Sequence, residues 1–288
     1  MADEMTERIP VRKTYKLFIG GAFPRSESGR SYPVADADGA FLANAARASR
    51  KDVRDAVVAA RKAFPGWSGR TAYNRGQILY RIAEMLEGRR EQFAAELRAT
   101  GLDGAAARAE VDAAVDRWVW YAGWADKLAA VFGDPAPVAG PFHTVSVPEP
   151  TGVVGIVAPD GPLLGLVSML APVVVSGNTA VVVASEPAPL PAAAFAEVLA
   201  TSDLPGGVVN LLTGYRAELA PRLASHEDVN ALDLTGVPDA DAKPLAEAAA
   251  GNLKRLFSRP ADDWSREPGT ARIRAFLEIK TVWHTVGA

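Results

Sequence analysis

The sequence predicts an α/β protein built on a Rossmann-like, doubly wound parallel sheet, and three observations predict it. Between residues 153 and 251, short β-branched runs alternate with helix-length segments, the pattern of strands joined by helical crossovers. The runs at 153–157 and 180–183 are apolar throughout rather than alternating, and those at 208–212 and 231–234 are apolar except for Asn210 and Asp233, as strands covered on both faces are. Over 288 residues, 49% are apolar and 23% charged, enough for a sizeable core and incompatible with wholesale disorder. Right-handed crossovers then place helices on both faces of the sheet.

The elements follow in chain order. Up to about residue 48 the chain reads as extended and turn-rich. Leu17-Phe18-Ile19 is closed by Gly20-Gly21, and Ser28-Gly29 marks a second turn. Ser49 is a helix N-cap with Asp52 as the acid of a capping box. Val53, Ala56, Val57, Ala60 and Phe64 make one apolar face, which Pro65-Gly66 is expected to end. A second helix starts near Thr71, buries Ile78, Leu79, Ile82, Met85 and Leu86, and is interrupted at Gly88. A third turns on Phe93 and Leu97 and stops at Gly101. A long fourth is predicted over 105–132, with Val111, Val115, Trp118, Ala122, Ala125 and Leu128 at helical spacing. Trp118, Trp120, Tyr121 and Trp124 look like an aromatic ligand box, but this spacing reads as packing.

A proline-rich linker occupies 133–141, and 142–147 alternates like a strand expected to stop at Pro148. Beyond it lie the four buried runs, with helices expected over 163–175, 190–200, 218–225 and 240–251. The uncharged stretch 161–185 does not read as a membrane span. Pro172 and Ser176-Gly177-Asn178-Thr179 divide it into a buried helix, a turn and a strand. A weak strand at 253–257, a polar segment at 260–269 and a compact ending at 273–286 complete the chain, with alternation in Ile279-Lys280-Thr281-Val282-Trp283.

Composition excludes several chemistries. A net charge of −3 makes no basic footprint for nucleic acid. The chain has no cysteine, which removes disulfides, thiolate metal sites and cysteine nucleophiles. A histidine-built metal site would need His143, His226 and His284 to converge, so none is expected. Residues 1–16 lack the apolar segment of a targeting signal, so a cytoplasmic protein without membrane association is expected. No G-x-G-x-x-G, P-loop or nucleophile elbow is present. A doubly wound sheet binds ligands outside the carboxyl ends of its strands. Those ends are Pro159-Asp160-Gly161-Pro162, Ala184-Ser185-Glu186, Thr213-Gly214 and Thr235-Gly236-Val237. Ser185 and Glu186 could hydrogen-bond sugar hydroxyls or simply end a strand.

Several ordered motifs carry a resemblance. They are the run from Glu149 to Pro159, Leu170-Ala171-Pro172, Ser176-Gly177-Asn178-Thr179, Ser185-Glu186, the run from Leu204 to Asn210, Thr235-Gly236, and the ending from Phe276 to Trp283. Together they resemble the cofactor domain of the aldehyde dehydrogenase superfamily. The resemblance implies a helical part of that domain over 1–141, an arm strand over 142–150, the Rossmann-like layer over 151–258, and a linker with a C-terminal arm strand over 259–288. It also implies that the small β arm joins subunits, and that Ser185, Glu186, Thr235 and Gly236 are the remains of a cofactor site.

The departures from the family pattern bear on function. The family's nucleophile is a cysteine, its glutamate lies in an E-L-G-G-type motif, and its oxyanion-stabilising asparagine lies in a P-W-N-F-P loop. The first two have no counterpart, and Asp160 stands in the third loop, where it would repel an oxyanion. No catalytic residue is therefore assigned. Val183 replaces the family's ribose-contacting lysine, Val237 a hydroxyl, and Asp241 a glycine beside the pyrophosphate. Asp239 and Asp241 suit the positive end of a helix but would oppose an anionic ligand there. Where the resemblance implies a catalytic domain, only about thirty-five residues separate Thr235-Gly236 from the ending. The expectation is a catalytically inactive aldehyde-dehydrogenase-like protein with no NAD(P) binding or weak binding. It would act as a structural or regulatory subunit in a hetero-oligomer with a full-length aldehyde dehydrogenase, or form a homodimer. The alternative is an NAD(P)-dependent oxidoreductase acting on aldehydes.

Overall fold

The computed structural model describes residues 11–258 and 263–286. The segment on which the targeting expectation mostly rests, 1–10, lies outside the described residues, as do 259–262, which include the start of the polar segment, and 287–288. Three short strands come first: β1 (Thr14–Tyr15), β2 (Ser31–Ala35) and β3 (Phe41–Ala46), in the order β1-β3-β2. Turns at Gly20, Gly21 and Gly29 lie between β1 and β2, and one at Gly39 joins β2 to β3, all at positive φ.

The helical block is α1 (Arg50–Ser68), α2 (Ala72–Glu87), α3 (Arg90–Ala99), α4 (Gly104–Ala122) and α5 (Leu128–Phe132). Ser49 and Asp52 form the capping box, and Thr71 caps α2. Two boundaries differ from expectation. α1 continues through Pro65-Gly66 to a cap at Gly69. A proline in the last turn removes one backbone donor, and the fully buried Trp67, whose indole donates to the Val174 carbonyl at 3.0 Å, holds that turn in place. The fourth helix is not continuous either: α4 stops at Gly123, and turns lead to α5. Trp118 stacks on Phe195 at 5.9 Å, and Trp120 packs on Tyr121 and Trp124. The aromatics pack against one another and the core.

β4 (Phe142–Pro150) runs past the expected stop at Pro148. Ser146 turns its backbone groups outward to Asp134. Pleat alternation puts the ring nitrogen of Pro148, two residues on, along the same outer edge, where no ladder donor is needed.

The central sheet contains β5 (Val153–Val157), β6 (Thr179–Val183), β7 (Val209–Leu212), β8 (Ala231–Asp233) and β9 (Arg255–Phe257), all parallel, in the order β7-β6-β5-β8-β9. Its crossovers carry α6 (Leu164–Val175), α7 (Pro189–Ala200), α8 (Arg216–Ala224) and α9 (Asp239–Ala249). α1, α8 and α9 bury one face, and α2, α4, α6 and α7 bury the other. β5, β6 and β7 are buried along their whole length, which explains why their sequences are almost wholly apolar. A short α10 (Ala271–Ala275) leads into β10 (Leu277–Thr285), which pairs antiparallel with β4 from Leu277 opposite Pro150 to Thr285 opposite Phe142.

Candidate functional site

The strand order reverses between β5 and β8, so the ligand crevice of this sheet lies outside their carboxyl ends. On the β6 side, Ser185 and Glu186 stand beside the loop after β5. The Ser185 hydroxyl donates to the Asp160 carbonyl at 3.2 Å and accepts the Ala188 N–H at 3.2 Å. Glu186 Oε2 accepts the backbone N–H of Arg216 at 2.8 Å. Arg216 opens α8, whose own N-cap residue, Tyr215, supplies no side-chain hydrogen bond. Glu186 therefore caps that helix from another strand end, satisfying an otherwise orphan donor.

Arg216 itself turns inward. Its Nη2 donates to Asp160 Oδ1 at 2.5 Å and to the Ala158 carbonyl at 3.3 Å. The Arg216 side chain is 15% exposed, whereas that of Asp160 is 62% exposed. The adjoining cleft, about 670 Å³, is lined by Tyr32, Val34, Asp160, Glu186, Tyr215 and Arg216. Burial, with Glu186 nearby, pushes the Tyr32 phenol well above its ordinary pKa.

On the β8 side, Thr235 is held as tightly. Its N–H and its hydroxyl both donate to Asp233 Oδ1, at 3.0 and 2.6 Å. Asp233 Oδ2 accepts from Arg272 Nε at 2.8 Å, and Arg272 Nη2 donates to Thr235 Oγ1 at 2.9 Å. The Arg272 guanidinium lies against the rings of Phe257 and Trp264 at 4.9 and 5.0 Å. Asp233 is fully buried, and that burial pushes its carboxyl above the ordinary range against the opposing pull of Arg272 and Thr235. Gly236 presses on the end of β5: a Cβ there would stand 2.2 Å from the Val157 carbonyl oxygen. Val183 and Val237 are buried, and Asp239 and Asp241 lie in the first turn of α9.

The structure thus places the four residues singled out in the sequence on the two sides of the switch point, Ser185 and Glu186 on one, Thr235 and Gly236 on the other. Sequence reasoning missed Arg216 and Arg272. Arg216 left a signal, because a cation in the first turn opposes the helix dipole and implies a compensating partner. Arg272 left none, since only the fold brings it to Asp233. Among the described residues, no group of three or more His, Asp or Glu side chains could hold a metal ion. His143 and His284 face each other across the β4/β10 ribbon, and His226 follows α8. Among the described residues no helix is long and apolar enough to cross a membrane.

Over residues 24–258 the sequence matches the aldehyde dehydrogenase family. It is 32% identical to mouse (Mus musculus) cytosolic 10-formyltetrahydrofolate dehydrogenase over 264 residues, covering 88% of this chain and 29% of that protein. It is 34% identical to cytosolic aldehyde dehydrogenase 1 of Elephantulus edwardii, covering 86% and 50%. The fold is similar to the crystal structure of a putative aldehyde dehydrogenase from Burkholderia cenocepacia, with a TM-score of 0.82 and 34% identity over 85% of this chain and 50% of that one. It is also similar to the NAD+ complex of an aldehyde dehydrogenase from Bacillus cereus, with a TM-score of 0.81 and 26% identity over the same shares. The chain spans half or less of the length of these relatives. It belongs to the aldehyde dehydrogenase family, and its sheet and helices are those of the family's cofactor-binding domain.

Proposed function

We propose that this chain is a non-catalytic aldehyde-dehydrogenase-like protein that serves as a structural or regulatory subunit of a full-length aldehyde dehydrogenase. The observation that carries the reading is the β4/β10 ribbon. Of the nine residues of β10 only Leu277 is buried. Ile279 and Trp283 are 53% and 57% exposed, and Phe142, packed edge-on against Trp283 at 5.6 Å, is 38% exposed. The outer edge of β4 is covered in part by Asp134, but β10 has no strand on its outer edge among the described residues. A bare edge with apolar neighbours is a surface that proteins normally cover. A sheet of a full-length family member is the cover proposed here, in a cytoplasmic hetero-oligomer. Self-association through the same ribbon, an isologous contact, is the competing outcome.

The chemistry of the crevice supports the non-catalytic part. The chain has no thiol to act as nucleophile, and Asp160 is a poor neighbour for a developing oxyanion. A dinucleotide does not fit the residues as arranged: Glu186 is engaged by α8, Thr235 by Asp233 and Arg272, and Arg216 crosses from β7 to the end of β5. Purified alone, the chain is expected to show no aldehyde oxidation with NAD+ or NADP+ across a panel of aldehydes. Turnover above the enzyme-free rate that is lost on Glu186→Gln would refute the reading in favour of an NAD(P)-dependent oxidoreductase.

A further inference from the structure

We propose that Arg216 is a built-in occupant of the crevice, a latch that excludes adenine nucleotides from the strand ends until it is released. The inference rests on the assignment of this crevice as the family's cofactor site and goes on to its regulation.

The latch joins three strand ends. The residue follows β7 and opens α8, yet its guanidinium lies at Ala158 and Asp160, which follow β5. The Asp160 carbonyl in turn accepts from Ser185, which follows β6. The loops after β5, β6 and β7 are thus tied into one unit across the side of the switch point where a ligand would enter. Direction matters as much as position. An arginine at a helix N-terminus ordinarily extends into solvent, away from the positive end of the dipole. Here it folds inward, its Nε buried without a hydrogen-bond partner, while its partner Asp160 remains mostly exposed. Inward folding that leaves a donor unsatisfied is not explained by local preference; the acceptors at the end of β5 hold it there.

The consequence is steric and electrostatic together. With Arg216 on Asp160, a nucleotide must break the ion pair and displace the side chain to approach Glu186. Its own phosphate then meets the freed Asp160 carboxylate. Truncating the arginine opens the space beside Glu186, and truncating the aspartate removes both the latch partner and the repulsion.

The test is a calorimetric titration of the whole chain with AMP and with NAD+, comparing the parent protein, Arg216→Ala and Asp160→Ala, with a melting curve for each. Both variants are expected to bind AMP at least tenfold more tightly than the parent. Folded variants that bind no more tightly would overturn the latch. So would micromolar binding by the parent that weakens in Arg216→Ala, since the arginine would then be a ligand contact. Should Arg216→Ala fail to fold, Asp160→Ala, which keeps the arginine and the Glu186 cap, decides by the same criterion. Aldehyde turnover by the parent would break the non-catalytic reading without altering this ranking of nucleotide affinities, so the two failures are separable.

Discussion

The parallel layer and the β4/β10 ribbon are both made of β-strands rich in branched residues, but one is finished and the other is not. In the layer, helices cover both faces, and the buried asparagine side chains are paired. Asn178 donates to Ser176 and to the Phe276 carbonyl, and Asn210 donates to Ala180 and Gly207 carbonyls. The segment 263–276 closes one flank: Arg117 donates to the carbonyls of Trp264 and Arg266, and Arg272 reaches Asp233. In the ribbon, the Lys280–Glu149 ion pair is surface-exposed, and aromatic side chains remain open to solvent. The contrast teaches where each region's free energy comes from. The layer is stabilised by burial within the chain, and the ribbon has apolar area that only a second surface can bury.

The contrast is sharpest at the buried pair. Arg272→Ala leaves the Asp233 carboxylate buried without its cation, and removing one partner of such a pair costs about 3–5 kcal/mol. Urea unfolding of this variant against Lys280→Ala, expected within about 1 kcal/mol of the parent, measures the difference. Equal losses would mean that the two regions are not energetically distinct.

Next in size is the effect of Trp283→Ala, which should move two readouts differently. A half-exposed side chain on the ribbon should leave unfolding within about 0.5 kcal/mol of the parent. As an interface anchor it should weaken association by about 2 kcal/mol or more, measured by sedimentation. A large stability loss with unchanged association would place the ribbon with the layer.

A smaller effect belongs to the entry into α1. Ser49→Ala removes the acceptor for the Lys51 and Asp52 N–H groups and should cost about 1 kcal/mol in unfolding, with no change in association. A shift in oligomeric mass instead would show that the helical block takes part in assembly.

The smallest effect is a pH dependence. Burial lowers the pKa of His226, and its Nδ1 accepts the Asp228 N–H at 3.2 Å, which requires that nitrogen unprotonated. Above the unfolded value of about 6.5 the ring is neutral in both states. As pH falls below it the unfolded chain takes up the proton first, so stability declines. Melting temperatures from pH 8 to pH 5 should fall by less in His226→Gln than in the parent. An unchanged slope would assign the acid sensitivity to carboxylates.

Much of the layer was legible in the sequence because buried parallel strands are written as short, mostly apolar runs without alternation, and Ser49-Asp52 and Gly88 mark helix ends by local chemistry. Where local signals yielded, tertiary contacts had overridden them: Trp67 carries α1 past Pro65, and an open ribbon edge carries β4 past Pro148. The crevice was legible in part. Ser185, Glu186, Thr235 and Gly236 could be placed at strand ends from order alone. Their partners could not, because Arg216 meets Asp160 across 56 positions and Arg272 meets Asp233 across 39. Periodicity does not report contacts at such separation.

The central claim is that the ribbon docks on a full-length aldehyde dehydrogenase. It is tested most directly by co-expressing this chain with the full-length family member of the same organism and measuring the mass of the complex by size-exclusion chromatography with light scattering. The account predicts a mixed oligomer containing both chains, lost when residues from 277 onward are removed. Separate elution of the two, with this chain a stable monomer both with and without those residues, would contradict it.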